Sequence, residues 1–353
     1  MSTRAIRSAI VGAAAARLSY SLLRARPPGG AAKWTRTNHR GEPVTLLEGP
    51  AVAIGGVAGA LAAGGTARDQ VAMAIAGAGA AAFGGYDDLA GNGESKGFRG
   101  HLGALRKGEL TTGAVKLAGI GAVGLAAAVI AGGAADGGPD RVVGRRAVTA
   151  ALADTLINAA LIAGGANLLN LFDLRPGRAA KVALIAGGLL APAGASASAA
   201  PLAAGAALLP EDLGERAMLG DAGANALGAM LGTAAATSLP RPARLAALGV
   251  ITGLTASSEV VSFTKIIERT GPLRWLDMLG RRPVPAAQAP GPANQAPASQ
   301  PPGQHPAGAA QDVAAASNGT PAGSASDSGG RDRDADPAVG KHRAGTRPSA
   351  EAR

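Results

Sequence analysis

The sequence predicts an all-α protein: a multi-pass transmembrane helical bundle of about nine spans, with a disordered C-terminal tail. Three observations carry that expectation. Apolar side chains make up 47% of the 353 residues and charged ones only 16%, with 54 glycines and no cysteine, a mixture that soluble domains rarely show. Apolar runs of roughly 17–25 residues, long enough to cross a hydrocarbon core of about 30 Å, recur along the chain. Beyond Arg282 the composition turns to Pro, Ala, Gly, Gln and Ser, which bury too little apolar surface to fold. The expected division is a membrane domain at 1–282 and a tail at 283–353. The tail holds six basic and six acidic residues, so the net charge of +10 belongs to the membrane domain. The lack of cysteine excludes a disulfide-stapled or thiolate-metal protein. A Pro-rich tail without net charge is not a nucleic-acid arm, so no nucleic-acid partner is expected.

The apolar runs lie near 5–23, 50–66, 71–86, 111–133, 147–167, 179–195, 197–210, 224–239 and 243–266. Those at 179–210 and 224–239 are rich in Ala and Gly, which contribute little to membrane insertion, but small residues let helices approach closely inside a bilayer. A soluble Ala-rich bundle would need polar faces, and Leu117–Gly133 and Val182–Ala191 show no polar stripe at helical spacing. Arg4 and Arg7 precede the first run as they would in a signal peptide. No clear small-residue cleavage site follows before Arg24, so the run is read as the first span. Loops after odd-numbered spans hold eighteen basic residues and the opposite side eight. The excess places the odd loops and the tail in the cytoplasm of a cell-membrane protein.

Acidic residues are scarce in the body, and their positions are informative. Asp87 and Asp88 follow the third span, Asp173 the fifth, and Asp221 lies after the seventh, so all four emerge on the cytoplasmic side. Asp87 and Asp88 sit where a helix should end, a place where the helix dipole disfavours an acid. Taken singly, each has a plain structural reading: a solvated loop pair, or Asp221 as the N-cap of the next helix. Taken together, acids from three loops among basic residues resemble a Mg²⁺-diphosphate site, since Mg²⁺ uses one or two carboxylates plus substrate phosphate oxygens.

At RGEPVTLLEG (Arg40–Gly49), YDDLAGNGESKGFRGHLGAL (Tyr86–Leu105), NLLNLFD (Asn167–Asp173) and MLGDAGANALG (Met218–Gly228), the chain resembles the polyprenyl-phosphate N-acetylhexosamine-1-phosphate transferases. This is glycosyltransferase family 4, which includes phospho-MurNAc-pentapeptide translocase and the GlcNAc-1-phosphate transferases. The likeness covers most of residues 30–282. It implies Mg²⁺-dependent transfer of a sugar-1-phosphate from a nucleotide-diphosphate sugar to a polyprenyl phosphate, in envelope glycan assembly. By resemblance, Asp87 and Asp88 are the family's paired aspartates, Asp221 its Mg²⁺-ligating aspartate with Asp88 as a second ligand, and Asp173 the first aspartate of its N-x-x-N-x-x-D motif. Asn167 and Asn170 complete that motif and suit the donor diphosphate or metal. Lys96 matches a family lysine after the paired acids, and Arg40 lies near another in the first cytoplasmic loop.

Two departures stand out. The family usually reads Asp-Gly-Leu-Asp-Gly where this chain has Asp173-Leu174-Arg175-Pro176-Gly177. Pro176 replaces an aspartate associated with nucleotide recognition, which leaves the base open, while Arg175 and Arg178 offer guanidiniums for bidentate phosphate contacts. The family's last cytoplasmic loop carries a His cluster, whereas no His stands between His101 and His305. Glu259, Lys265, Arg274, Trp275 and Arg281 occupy that region, either as substrate contacts or as an interfacial helix with a Trp anchor. Asp154 and Asn158, one turn apart in the fifth span, read as a local hydrogen-bonded pair, and His101 as ordinary surface. The alternative to an enzyme is a catalytically silent relative that binds lipid-linked intermediates or partner proteins. Whether the protein is a homodimer is left open.

Overall fold

Ala, Leu and Ile runs favour helix, and a helix satisfies its own backbone polar groups in an apolar medium. The computed structural model describes residues 2–91, 111–132, 145–193 and 196–283. Lys96, His101 and the tail after Pro283 lie outside them. In chain order the helices are α1 (Thr3–Ala25), α2 (Ala31–Trp34), α3 (Glu48–Ala62), α4 (Ala67–Ala90), α5 (Thr112–Gly132), α6 (Arg145–Phe172), α7 (Arg178–Leu190), α8 (Ala199–Leu213), α9 (Gly220–Ser238), α10 (Arg241–Ser258), α11 (Phe263–Arg269) and α12 (Gly271–Met278). Strands β1 (Thr35–Thr37) and β2 (Pro43–Thr45) form a small antiparallel hairpin with Arg36 opposite Val44.

The described part of each expected apolar run is mainly helical, but their lengths differ. α5 and the Ala147–Phe172 part of α6 are long and apolar enough to cross a membrane. α10 and α11 supply a third candidate if this pair, bent by 95°, is one span. α3 is apolar yet has only 15 residues, about 22 Å at a rise of 1.5 Å per residue, and α7 has 13. On length and apolarity the expected nine spans thus narrow to two or three among the described residues. α3, α7 and α8 fall short in length, and charged or polar residues interrupt α1, α4 and α9.

α9 is the hub. It is enclosed on every side from Ala222 to Ala236 and packs against α3, α4, α6 and α7. Such enclosure requires close backbone approach: a methyl group at Gly228 would stand 2.2 Å from the Gly165 carbonyl oxygen on α6. Outward faces are apolar, as hydrocarbon contact requires. Val148, Leu152 and Leu156 form an exposed stripe at helical spacing on α6, and Ile6, Ile10, Leu18 and Leu22 do so on α1.

Asp154 and Asn158 do not pair with each other as expected. Arg244 of α10 donates to Asn158 Oδ1 at 2.7 Å and to Asp154 Oδ1 at 3.4 Å, so the two polar groups tie α6 to α10. A neighbouring helix supplied a cation that the local spacing could not reveal. The hairpin docks on the chain entering α9: Arg216 O accepts the Thr45 N–H and Thr45 O accepts the Met218 N–H.

Candidate active site at one end of the bundle

The last turn of α4 meets the first turn of α9. Leu219, the N-cap of α9, has no side-chain capping bond, and the first four amides of a helix lack intrahelical partners. Carboxylates from other helices supply them. Asp88 Oδ1 accepts the Asp221 N–H at 3.0 Å and Asp88 Oδ2 the Ala222 N–H at 2.9 Å, while Asp173 accepts the N–H of Gly220. The expected dipole conflict at the C-terminus of α4 is therefore answered by the positive end of α9. The Arg36 guanidinium of β1 also donates to the Asp88 carbonyl. Asp221 receives a cap here and does not provide one.

Lys116, on the second turn of α5, reaches into this junction. Its ammonium lies 2.7 Å from Asp87 Oδ2 and is also bonded to Asp221 Oδ2. Two carboxylates 134 positions apart thus share one cation, and Asp88 stands alongside. Burial raises Asp87, but hydrogen bonds from Lys116 and Thr112 outweigh it and hold this carboxyl below its usual range. Burial pushes Asp221 up against the opposing Lys116 charge. Asp88 rises to about 7, through burial and then the Asp221 charge, despite its two amide donors. Asp173 is pushed well up by burial and by the Asp212, Asp221 and Asp88 charges. Environments that drive neighbouring acids apart in this way are common in acid-base sites.

Two cavities flank the junction. Lys116 and Asn167 line a mainly apolar groove of about 540 Å³ between α5, α6 and α10, with Glu259 also on its wall. Asp173, Arg175, Asp212, Glu215 and His39 stand among apolar residues in the lining of a smaller cavity of about 260 Å³. The Asn-Asp motif is therefore divided, with Asn167 facing one cavity and Asp173 the other. Asn170, between them near the end of α6, is partly buried. Arg175 is within 3.7 Å of Glu268.

The other expected phosphate ligands have internal partners. Arg40 Nε donates to Glu215 Oε1 at 2.9 Å, and its terminal nitrogens donate to the carbonyls of Arg282 and Pro283. Arg178 is buried and grips Asp277 through Nε at 2.7 Å and Nη2 at 3.2 Å, with Nη1 on Thr264. Arg281 joins the same carboxylate at 2.9 Å, and Lys181 donates to the carbonyls of Leu276 and Asp277. These contacts seat α12 on α7. Trp275 points outward, 67% exposed, as an interfacial anchor would.

Among the described residues no three His, Cys, Asp or Glu side chains converge on a metal position. The pair Asp87 and Asp221 nevertheless fits Mg²⁺, because hard oxygen donors already enclose a cation and Mg²⁺ needs only one or two carboxylates beside phosphate oxygens. Lys116 is the residue that sequence reasoning passed over. Its signal was available, since an ionisable group inside an apolar run is costly and often functional. Asp212 and Glu48, both buried with oxygens that lack hydrogen-bond partners, had no comparable signal. No protein-family model matches the chain, and no curated protein matches it.

Proposed function

We propose that the protein transfers a sugar-1-phosphate from a nucleotide-diphosphate sugar to a polyprenyl phosphate at the cytoplasmic face of the cell membrane, in envelope glycan assembly. On this reading the nine helical runs together form a multi-pass bundle. The supporting observation is the junction of Asp87, Lys116 and Asp221, where acids from separate helices share a cation beside an apolar groove. Mg²⁺ would be held by Asp221 and Asp87, and when bound it would neutralise phosphate charge. Asp88, the other expected ligand, has both oxygens on backbone amides.

The reaction joins two anions, so the main task is charge compensation and positioning. A phosphate monoester loses its second proton near pH 6, so the acceptor needs no strong base. Lys116 stands where the apolar groove meets the acids, and there its ammonium offsets the acceptor phosphate charge. Asn167 offers an amide to the same groove. Arg175 lines the smaller cavity beside Asp173, which suits it to the donor.

The test is nucleoside monophosphate release by purified protein with polyprenyl phosphate, Mg²⁺ and a panel of nucleotide-diphosphate sugars. Release that requires lipid and metal, and that disappears in Asp221→Asn, supports the transferase. Absence of release from folded protein with every donor supports the silent lipid-binding relative. That second reading is favoured by one observation, the internal engagement of Arg40 and Arg178.

A further inference from the structure

We infer that Asp88 is a positioning residue, whose carboxylate holds the first turn of α9 and thereby sets Asp221 against Asp87 and Lys116. The inference deepens the phosphotransfer reading and rests on it for its activity measurement alone. α9 begins without a capping side chain of its own, so its leading amides need acceptors from elsewhere. Asp88 supplies two, one oxygen to each of two successive amides, and Asp173 supplies the third.

The surroundings leave the Asp88 carboxylate little freedom. A methyl group at Gly84, one turn earlier on α4, would stand 2.2 Å from the Asp221 carbonyl oxygen, so the two backbones are in direct contact. Gly220 adopts φ +59°, and a methyl group there would lie 3.0 and 3.1 Å from the two Asp88 oxygens. The Asp88 carbonyl is itself held by Arg36. The side-chain cation of the junction pairs with Asp87 and Asp221. An ammonium on a side chain is exchangeable for substrate or metal, whereas a backbone amide is not.

A capping role and a ligand role differ in what replaces Asp. An amide cap needs acceptor oxygens, and of the two that Asp88 presents Asn keeps one and Ala none. A metal ligand needs the charge. The test is hydrogen exchange of the segment 218–226 in the full-length protein, for Asp88→Asn and Asp88→Ala, together with Mn²⁺ affinity and monophosphate release. We expect exchange at 221–222 to accelerate about fivefold or more in Asp88→Ala, the worth of an N-cap, and in Asp88→Asn to accelerate at one of the two amides while the other stays near wild type. Mn²⁺ affinity and kcat in Asp88→Asn should remain within a few-fold of wild type. Wild-type exchange in Asp88→Ala, or Mn²⁺ affinity lost in Asp88→Asn while one of the two amides keeps wild-type exchange, overturns the assignment. If Asp88→Ala does not fold, Asp88→Asn decides by the same two readouts. If wild type itself releases no monophosphate, the phosphotransfer reading fails, and exchange with Mn²⁺ affinity still decides the role of Asp88.

Discussion

Replacing Asp212 by Asn should make the protein more stable at neutral pH and should flatten its response to pH. Asp212 ends α8 with a side chain only 2% exposed. One oxygen has no hydrogen-bond partner, and the carboxyl accepts the Gly177 N–H. Burial drives its pKa from 3.8 to about 7, with that amide and the Lys181 and Arg281 charges opposing and Glu215 adding to the rise. A carboxyl that holds its proton more tightly when folded contributes stability that is fully present below about pH 4. This stability falls as pH rises and is gone near pH 7. At 1.36 kcal/mol per tenfold, the loss is about 4 kcal/mol. Asp212→Asn cannot ionise, so it should match wild type near pH 4 and exceed it by up to about 4 kcal/mol at pH 8. For a body of this size that is about 8 °C in melting temperature. Intrinsic fluorescence reads it, because Trp34 is buried. A wild-type melting temperature independent of pH between 4 and 8, or a variant less stable than wild type at pH 8, would refute the reasoning.

Three further outcomes are expected. Lys116→Met should cut monophosphate release by about a hundredfold, the scale of one lost electrostatic contact to developing charge, and should also lower the melting temperature, because it leaves Asp87 and Asp221 without their cation; retained turnover removes Lys116 from the site. Gly84→Ala should destabilise by about 1–3 kcal/mol through overpacking, since the added carbon meets Asp221 O at 2.2 Å, whereas Gly85→Ala makes only an ordinary 3.7 Å contact and should be neutral. Equal unfolding midpoints for the two variants would contradict the close approach of α4 and α9. Asp277→Leu should cost about 3–5 kcal/mol by leaving Arg178 buried and unpaired, and Arg178→Met with Asp277→Leu should recover part of that loss in chemical denaturation.

Much of the architecture was legible in local composition. Helix class and the positions of the nine runs follow from apolar stretches bounded by charged loops, and the described part of each run is mainly helical, the last as the bent pair α10 and α11. Span number was not legible to the same degree, because Ala-rich and Gly-rich runs are short or weakly hydrophobic and hydropathy alone does not distinguish a membrane helix from a buried one. The convergence of Asp87, Asp88, Asp173 and Asp221 could be read from the parity of helices between them, an argument that needs only topology. Lys116 was hidden because it was read as part of an apolar run and not as a charge facing the acids.

The sequence by itself determined what each segment prefers: helical backbone, apolar outward faces, small residues where helices must approach, and acids gathered at one end. These are one-dimensional properties, set by residue type and spacing. Only the tertiary structure decided how those acids differ. Asp87 and Asp221 share an ammonium, Asp88 and Asp173 cap α9, and Arg40 and Arg178 are engaged by Glu215 and Asp277. The physical reason is range. A carboxylate's partner depends on angstrom-scale approach between helices distant in sequence, and glycines such as Gly84 set that approach, so chemically identical side chains acquire different work.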